Sequence, residues 1–223
     1  GNPGMAKLAQ CINIAVTDID TLCSFAQTEE ISLTVVGPEV PLTLGIVDKF
    51  KAQGLEIFGP SAAAARLEGS KVFSKNLFKK YGIPTARFDV FTDAAKAREF
   101  ARSLYESGVG AVVPAAGLAA GQGVIVAADY AEAEAAIDSI LTDKSFGSAG
   151  DQVLIEECLP GEELSFFAIS DGKNYVPLLA AQDHKRIFDN DEGPNTGGMG
   201  AYTNPPLYTP ALKAQILKEV IEP

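Results

Sequence analysis

The sequence predicts a chain of α/β class in two successive parts, a parallel βαβ region followed by an α+β region rich in antiparallel pairs. Three observations carry this. Up to residue 58, short apolar runs alternate with stretches of helical period, the grammar of parallel strands joined by crossover helices. From Ala86 on, strands follow one another more closely, and a hairpin signal, Asp171-Gly172-Lys173-Asn174, joins two of them. Finally, 223 residues of which 47% are hydrophobic suffice to bury a core without disulfide or metal staples.

The first part reads as strand 13–16, helix 18–27, strand 32–36, helix 40–53 and strand 55–58. Two of these strands end alike, in Val36-Gly37-Pro38 and Phe58-Gly59-Pro60. Loops at the carboxyl ends of parallel strands are where open α/β sheets bind ligands. The opening Gly1-Asn2-Pro3-Gly4 is a turn of the kind that connects two elements, so an element is expected before it. Ser61 is placed to cap a short Ala-rich helix. Ser70 is placed to cap a second helix running to Tyr81, closed by Gly82 with Pro84 beyond. Val72, Phe73 and Leu77 mark the buried side of that second helix, while Lys75, Lys79 and Lys80 fall off it and read as a solvated face.

A boundary falls between Gly59 and Ala86, where the grammar changes. After it come a strand from Ala86, a helix with Ala97, Phe100 and Leu104 inward, a strand 109–113, a Gly-rich turn and a strand 123–127. A helix 129–141 follows, then strands 153–157, 164–170 and 175–180. Residues 208–223 read as a helix capped by Thr209 with Pro210 in first position. Leu212, Ile216 and Val220 form its apolar face, whose partner is expected beyond the end.

The net charge of -11 and pI near 4.6 argue against general nucleic-acid binding, which needs a basic surface to release counterions. An anionic ligand must therefore be held by local groups. Cys11, Cys23 and Cys158 are odd in number and widely spaced, which fits reduced thiols in the cytoplasm better than a disulfide framework. No apolar run approaches the roughly 20 residues that span a bilayer, and no basic-then-apolar signal opens the chain, so no membrane role is expected.

Three segments carry candidate chemistry. Gly117-Leu118-Ala119-Ala120-Gly121-Gln122-Gly123 lies between two strands, and its small residues let backbone N–H groups approach an anion, although an ordinary hairpin explains the run equally well. It is not a P-loop, because GxxxxGK[ST] is absent. Ile155-Glu156-Glu157-Cys158-Leu159-Pro160-Gly161-Glu162-Glu163 is a strand running into a turn dense with carboxylates. Backbone groups at such an exit can pair with an adenine edge and a carboxylate can accept from ribose hydroxyls, against the plainer reading of solvated acids. Gln182-Asp183-His184-Lys185-Arg186, followed by Pro194-Asn195-Thr196-Gly197-Gly198-Met199-Gly200-Ala201-Tyr202, offers a local anion site in an acidic chain. His184 is the only histidine and reads first as a hydrogen-bonded structural imidazole.

Together with Gly37-Pro38-Glu39-Val40-Pro41-Leu42, Leu67-Glu68-Gly69-Ser70-Lys71 and Gly82-Ile83-Pro84-Thr85-Ala86, these segments resemble glycinamide ribonucleotide synthetase, the phosphoribosylamine–glycine ligase of the ATP-grasp superfamily. Their order and spacing cover nearly the whole chain. The resemblance implies an incomplete Rossmann-like substrate domain over residues 1–60, linker helices over 61–85, an ATP-binding region over 86–180 and the start of the catalytic core over 181–223. It implies ATP and Mg2+ as cofactors and glycine and 5-phosphoribosylamine as substrates. ATP would phosphorylate the glycine carboxylate, and the amine of phosphoribosylamine would displace the phosphate.

By motif, the resemblance implies that Lys71 reaches the ATP phosphates, that Gly117, Leu118, Gly121, Gln122 and Gly123 cover them, and that Glu156, Cys158 and Leu159 line the adenine pocket. Glu163 would bind ribose, and Gly37, Pro38 and Glu39 would face the substrate cleft. Asp183, Lys185, Arg186, Thr196, Gly197, Gly198 and Met199 would hold the substrate end, with Lys185 and Arg186 catalytic.

The sequence departs from the family at two places. Pro114 stands where the family closes the strand with a lysine, and Gln122 where it has a lysine in the loop. The family's opening strand would precede Gly1 and its metal-binding Glu and Asn would follow Pro223, so the chain reads as truncated at both ends, with no metal ligands of its own and inactive alone. Two other functions fit the same segments: a catalytically degenerate nucleotide-binding or scaffolding module, and another ATP-grasp carboxylate-amine ligase. Fusion to or association with other purine-pathway enzymes is a further expectation.

Overall fold

The computed structural model describes residues 1–114, 124–143 and 151–223, which form two compact units, Gly1–Ser74 and Lys75–Pro223. In the first unit, Asp18 accepts from Thr21 N at 3.1 Å and starts α1 (Ile19–Thr28). Strand β1 (Thr34–Val35) runs parallel to β2 (Ile57–Phe58), with Thr34 opposite Ile57. Between them lie α2 (Glu39–Thr43) and α3 (Ile46–Ala52). The single helix expected over 40–53 is broken by Gly45, whose φ of +85° is left-handed and cannot continue a right-handed helix. The core is small: Cys23 and Ala26 of α1 meet Ile46, Val47 and Phe50 of α3.

The strand expected over 13–16 does not form. Residues 11–16 pair with no strand among the described residues and are largely exposed, since an apolar run supplies side chains but no ladder partner. Helix α4 (Ala62–Gly69) has its first turn capped twice, by Ser61 Oγ accepting from Ala64 N at 3.3 Å and by Asp48 Oδ2 accepting from Ala62 N at 2.7 Å. Ser70 likewise accepts from Phe73 N at 3.2 Å at the start of α5 (Lys71–Tyr81). Its buried residue is Ser74, with Val72, Phe73 and Leu77 half-buried.

The second unit is built on a four-stranded antiparallel sheet of β3 (Phe88–Phe91), β4 (Gly110–Pro114), β5 (Val124–Ala127) and β6 (Val153–Cys158), in the order β3-β6-β4-β5. Helices α6 (Ala94–Glu106) and α7 (Tyr130–Leu141) cover one face. Their caps, Asp93 and Asp129, accept from Lys96 N and Glu132 N, each at 2.9 Å, and are worth about 1 kcal/mol apiece. Ala97, Ala101 and Leu104 recur at helical spacing on α6, and Ala133, Ala136, Ile137 and Ile140 do so on α7. These faces close over Ala111, Val113, Val153 and Ile155 of the sheet.

Beyond the sheet, β7 (Ala168–Ser170) and β8 (Tyr175–Pro177) form the hairpin that Asp171-Gly172-Lys173-Asn174 announces. A second hairpin, β9 (Ala181–Phe188) with β10 (Glu192–Thr203), is absent from the sequence reading, which takes 193–202 as a glycine-rich loop. The chain ends in α8 (Pro210–Ile216), capped by Thr209, and a π turn over Leu217–Ile221. Val220, expected on the apolar face of this helix, is 41% exposed.

Candidate functional site

Side chains alternate along a strand, so β6 divides into two faces. Val153 and Ile155 are sealed under the helices. Leu154, Glu156 and Cys158 point the other way, and the register extends that second face across the sheet. Phe88 and Val112 stand opposite Glu156, Gly110 opposite Cys158, and Val126 opposite Val112.

A cavity of about 440 Å³ opens here. Val112, Val126 and Cys158 form its sheet wall, Leu159, Gly161, Glu162 and Glu163 come from the loop leaving β6, and residues 182–186 with Asn195 come from the β9–β10 hairpin. Fold topology thus gathers Cys158, Leu159, Glu163, Asp183, Lys185 and Arg186 of the predicted set around one volume. Charge inside it is paired: Lys185 Nζ lies 2.5 Å from Glu163 Oε2 and 3.8 Å from Asp183 Oδ2. The hydrogen bond to Glu163, with the attraction of that carboxylate and of Asp183, raises the Lys185 pKa and keeps it cationic at any neutral pH. Gln182 is buried and accepts from Tyr202 OH at 2.7 Å, and the Tyr202 ring stacks on His184 with centroids 5.9 Å apart. His184, read from the sequence as a hydrogen-bonded imidazole, is instead exposed and packed against this ring.

The edge of β6 also opens at this point. The β3–β6 ladder ends at Phe88 and Glu156, with one further bond from Glu157 N to Arg87 O at 2.9 Å. The Glu157 side chain then takes Arg87 N at 2.8 Å. Past this position the β3 ladder no longer claims the backbone of Cys158 and Leu159.

Glu156 is placed differently from its neighbours in the predicted set. Its carboxylate does not line the cavity but meets Lys75 Nζ at 3.3 Å, and the two side chains are only 18% and 13% exposed. Lys75 therefore does not belong to the solvated face on which helical spacing puts it. Its partner lies on a strand far along the chain, which spacing within α5 cannot reveal. Thr196, Gly197, Gly198 and Met199 also stand apart. Asn195 pairs with Arg186 and Gly200 with His184, so these four residues oppose Lys185 alone and bulge out of the hairpin. Thr196 Oγ1 donates to Lys185 O at 2.8 Å and accepts from Gly198 N at 3.0 Å, which fixes the bulge. Met199 lines a separate hollow of about 270 Å³ with His184 and Arg186.

The remaining predicted residues fall in the first unit or outside the described residues. Gly37 and Glu39 line a hollow of about 560 Å³ at the carboxyl ends of β1 and β2, together with Pro60, Leu67 and Glu68. Pro38 is the N-cap of α2 and is not among the lining residues, and Lys71 is the half-buried first residue of α5. Gly117, Leu118, Gly121, Gln122 and Gly123 lie outside the described residues. Among the described residues, no group of three His, Cys, Asp or Glu side chains is arranged to hold a metal ion, and no helix is long and apolar enough to cross a membrane.

The helix-backed antiparallel sheet, with its cavity at a strand exit facing a long hairpin, lies within residues 69–223, the stretch that an ATP-grasp domain model matches. D-alanyl-alanine synthetase A from Vibrio cholerae shares this fold at a TM-score of 0.63 and 17% identity over 84% of this chain and 57% of that one. The phosphoribosylglycinamide synthetase ATP-grasp (A) domain matches residues 69–223 and the N domain of the same synthetase matches residues 1–68, so the chain belongs to the phosphoribosylglycinamide synthetase family. The phosphoribosylamine–glycine ligase of Xanthomonas axonopodis pv. citri is 53% identical over 100% of this chain and 52% of its own length. The corresponding protein of Haemophilus influenzae is 51% identical with the same coverage. In structure, the phosphoribosylamine–glycine ligase of Thermotoga maritima superposes at a TM-score of 0.73 and 30% identity over 98% of this chain and 51% of that one. The chain spans about half the length of the curated relatives it matches.

Proposed function

We propose that the protein ligates glycine to 5-phosphoribosylamine at the expense of ATP, giving glycinamide ribonucleotide in purine synthesis. The observation that carries this reading is the cavity at the β6 exit, which joins an apolar wall, an open backbone edge and the Glu163–Lys185 pair in a chain matched end to end by this family. ATP first phosphorylates the glycine carboxylate. The amine nitrogen then attacks the acyl carbon, phosphate leaves with the bonding electrons, and the amine loses a proton. Splitting activation from ligation replaces a poor leaving group with phosphate, and the protein's part is positioning and charge neutralisation.

Cys158, Leu159 and Val112 offer the flat apolar contact an adenine ring needs. A carboxylate accepts several hydrogen bonds and an ammonium donates three, so Glu163 and Lys185 keep capacity for ribose hydroxyls and phosphate or carboxylate oxygens while paired. Arg186 and Asp183 extend that polar wall, and Lys71 is assigned to the phosphates and the hollow at Gly37 and Glu39 to the substrate. Mg2+ would neutralise phosphate charge in this chemistry. The odd number and wide spacing of the three cysteines support a cytoplasmic enzyme, and the partners assigned to it are small molecules rather than nucleic acid or a membrane.

The test is formation of glycinamide ribonucleotide by the full-length protein. Turnover should require glycine and ATP, and Lys71→Ala should abolish it; undiminished turnover in that variant sinks the assignment of Lys71. A second reading, a nucleotide-binding module that has lost catalysis, is favoured by one observation. Pro114 contributes no charge on the cavity side of β4, where the family places a lysine. Restored turnover in Pro114→Lys with Gln122→Lys, against none in the parent, would establish it.

A further inference from the structure

The reading above assigns no role to Lys75, yet this side chain is held at three points within the second unit. Its ammonium lies 3.3 Å from Glu156 Oε1, donates to Thr85 Oγ1 at 2.6 Å, and sits 5.6 Å from the centroid of the Phe88 ring. At 13% and 18% exposure, neither Lys75 nor Glu156 is a solvated surface group. Glu156 stands between Phe88 and Val112 on the sheet, so Lys75 and Thr85 supply the polar surroundings its carboxylate needs. Two residues further along the same face Cys158 makes its last rung with Gly110, and Leu159 then leaves the sheet into the cavity wall.

We infer that Lys75 is a positioning residue for the nucleotide base. By fixing Glu156 it sets where the backbone of Cys158 and Leu159 stands, and hence which hydrogen-bonding edge of a purine that open strand edge accepts. This rests on the nucleotide-binding reading. A purely structural pair would change stability alone, whereas a positioning pair changes the discrimination between adenine and guanine, whose edges present opposite donors and acceptors.

The experiment titrates the full-length protein and its Lys75→Met, Lys75→Arg and Glu156→Gln variants with non-hydrolysable ATP and GTP analogues, with thermal unfolding and steady-state kinetics alongside. Lys75→Met should weaken the ATP analogue about 10-fold while GTP changes little, shrinking the ATP preference by the same factor, or about 1.4 kcal/mol. The glycine KM and the turnover at saturating ATP should stay within about twofold. Lys75→Arg should restore most of the preference, and Glu156→Gln should lose it; these two carry the test if Lys75→Met does not fold. A nucleotide preference equal to wild type in every folded variant overturns the inference and leaves the nucleotide site intact. A parallel loss of turnover, of glycine affinity and of affinity for both nucleotides also overturns it, since it reports general loss of structure. Absence of nucleotide binding in the wild type overturns both this inference and the reading beneath it.

Discussion

At the scale of single residues, Pro114 decides most. It pairs with Val124 at the end of β4 and shares a face with Val112, which lines the cavity, so a side chain longer than proline's at this position starts from the cavity side of the sheet. Proline brings no charge and removes a backbone donor, tolerably so at a strand end. A hydrogen bond to a charged group is worth roughly 1.5 to 3 kcal/mol, a factor of about 10 to 150 in affinity. Pro114→Lys should therefore tighten binding of an ATP analogue by about that factor in isothermal titration. An unchanged affinity in a folded variant would show that the lysine does not reach the phosphates. Pro114 and its pattern were legible in the sequence, and so were the cavity residues of 182–186, because each belongs to a contiguous motif. Lys75 was not, because its carboxylate partner is brought to it only by the sheet.

Elements show the same division between local and distant causes. Asp171-Gly172-Lys173-Asn174 specifies its hairpin by contacts within four residues: the Asp171 carboxylate accepts from Asn174 N at 2.6 Å and Lys173 N at 2.8 Å, and Gly172 takes a φ of +91°. Those bonds, from Asn174 N–H first, hold the Asp171 carboxyl down from 3.8 to about 2. A carboxyl depressed in the folded state stabilises above its unfolded value and loses that contribution as pH falls through the folded one. The difference in urea midpoint between wild type and Asp171→Asn should therefore be full above pH 4 and vanish as pH falls from about 4 to about 2. A difference that stays constant across this range would mean the amide replaces the carboxylate without loss. The β9–β10 hairpin escaped the sequence because the bulge over four residues, fixed by Thr196, breaks the alternation by which strands are recognised. The strand expected at 13–16 failed for the converse reason: its apolar run is present, but it pairs with no strand among the described residues.

For the chain as a whole, the net charge of -11 sets how a nucleotide would arrive at the proposed site. The cations proposed to meet it are few, Lys71, Lys185 and Arg186, and Lys185 is already paired with Glu163 and Asp183. An approaching nucleotide thus meets a repulsive long-range field and finds attraction only at contact. Screening separates the two, because the Debye length falls from about 30 Å at 0.01 M salt to about 8 Å at 0.15 M while hydrogen-bond distances lie well inside both. The association rate of a fluorescent ATP analogue, followed by stopped flow, should therefore rise as salt increases over this range, by a factor on the order of 2 to 10. A nucleotide site steered by a basic surface shows the opposite slope. A rate that falls with salt would place a cationic approach to the cavity, with Arg186 of its lining the first group to substitute in locating it.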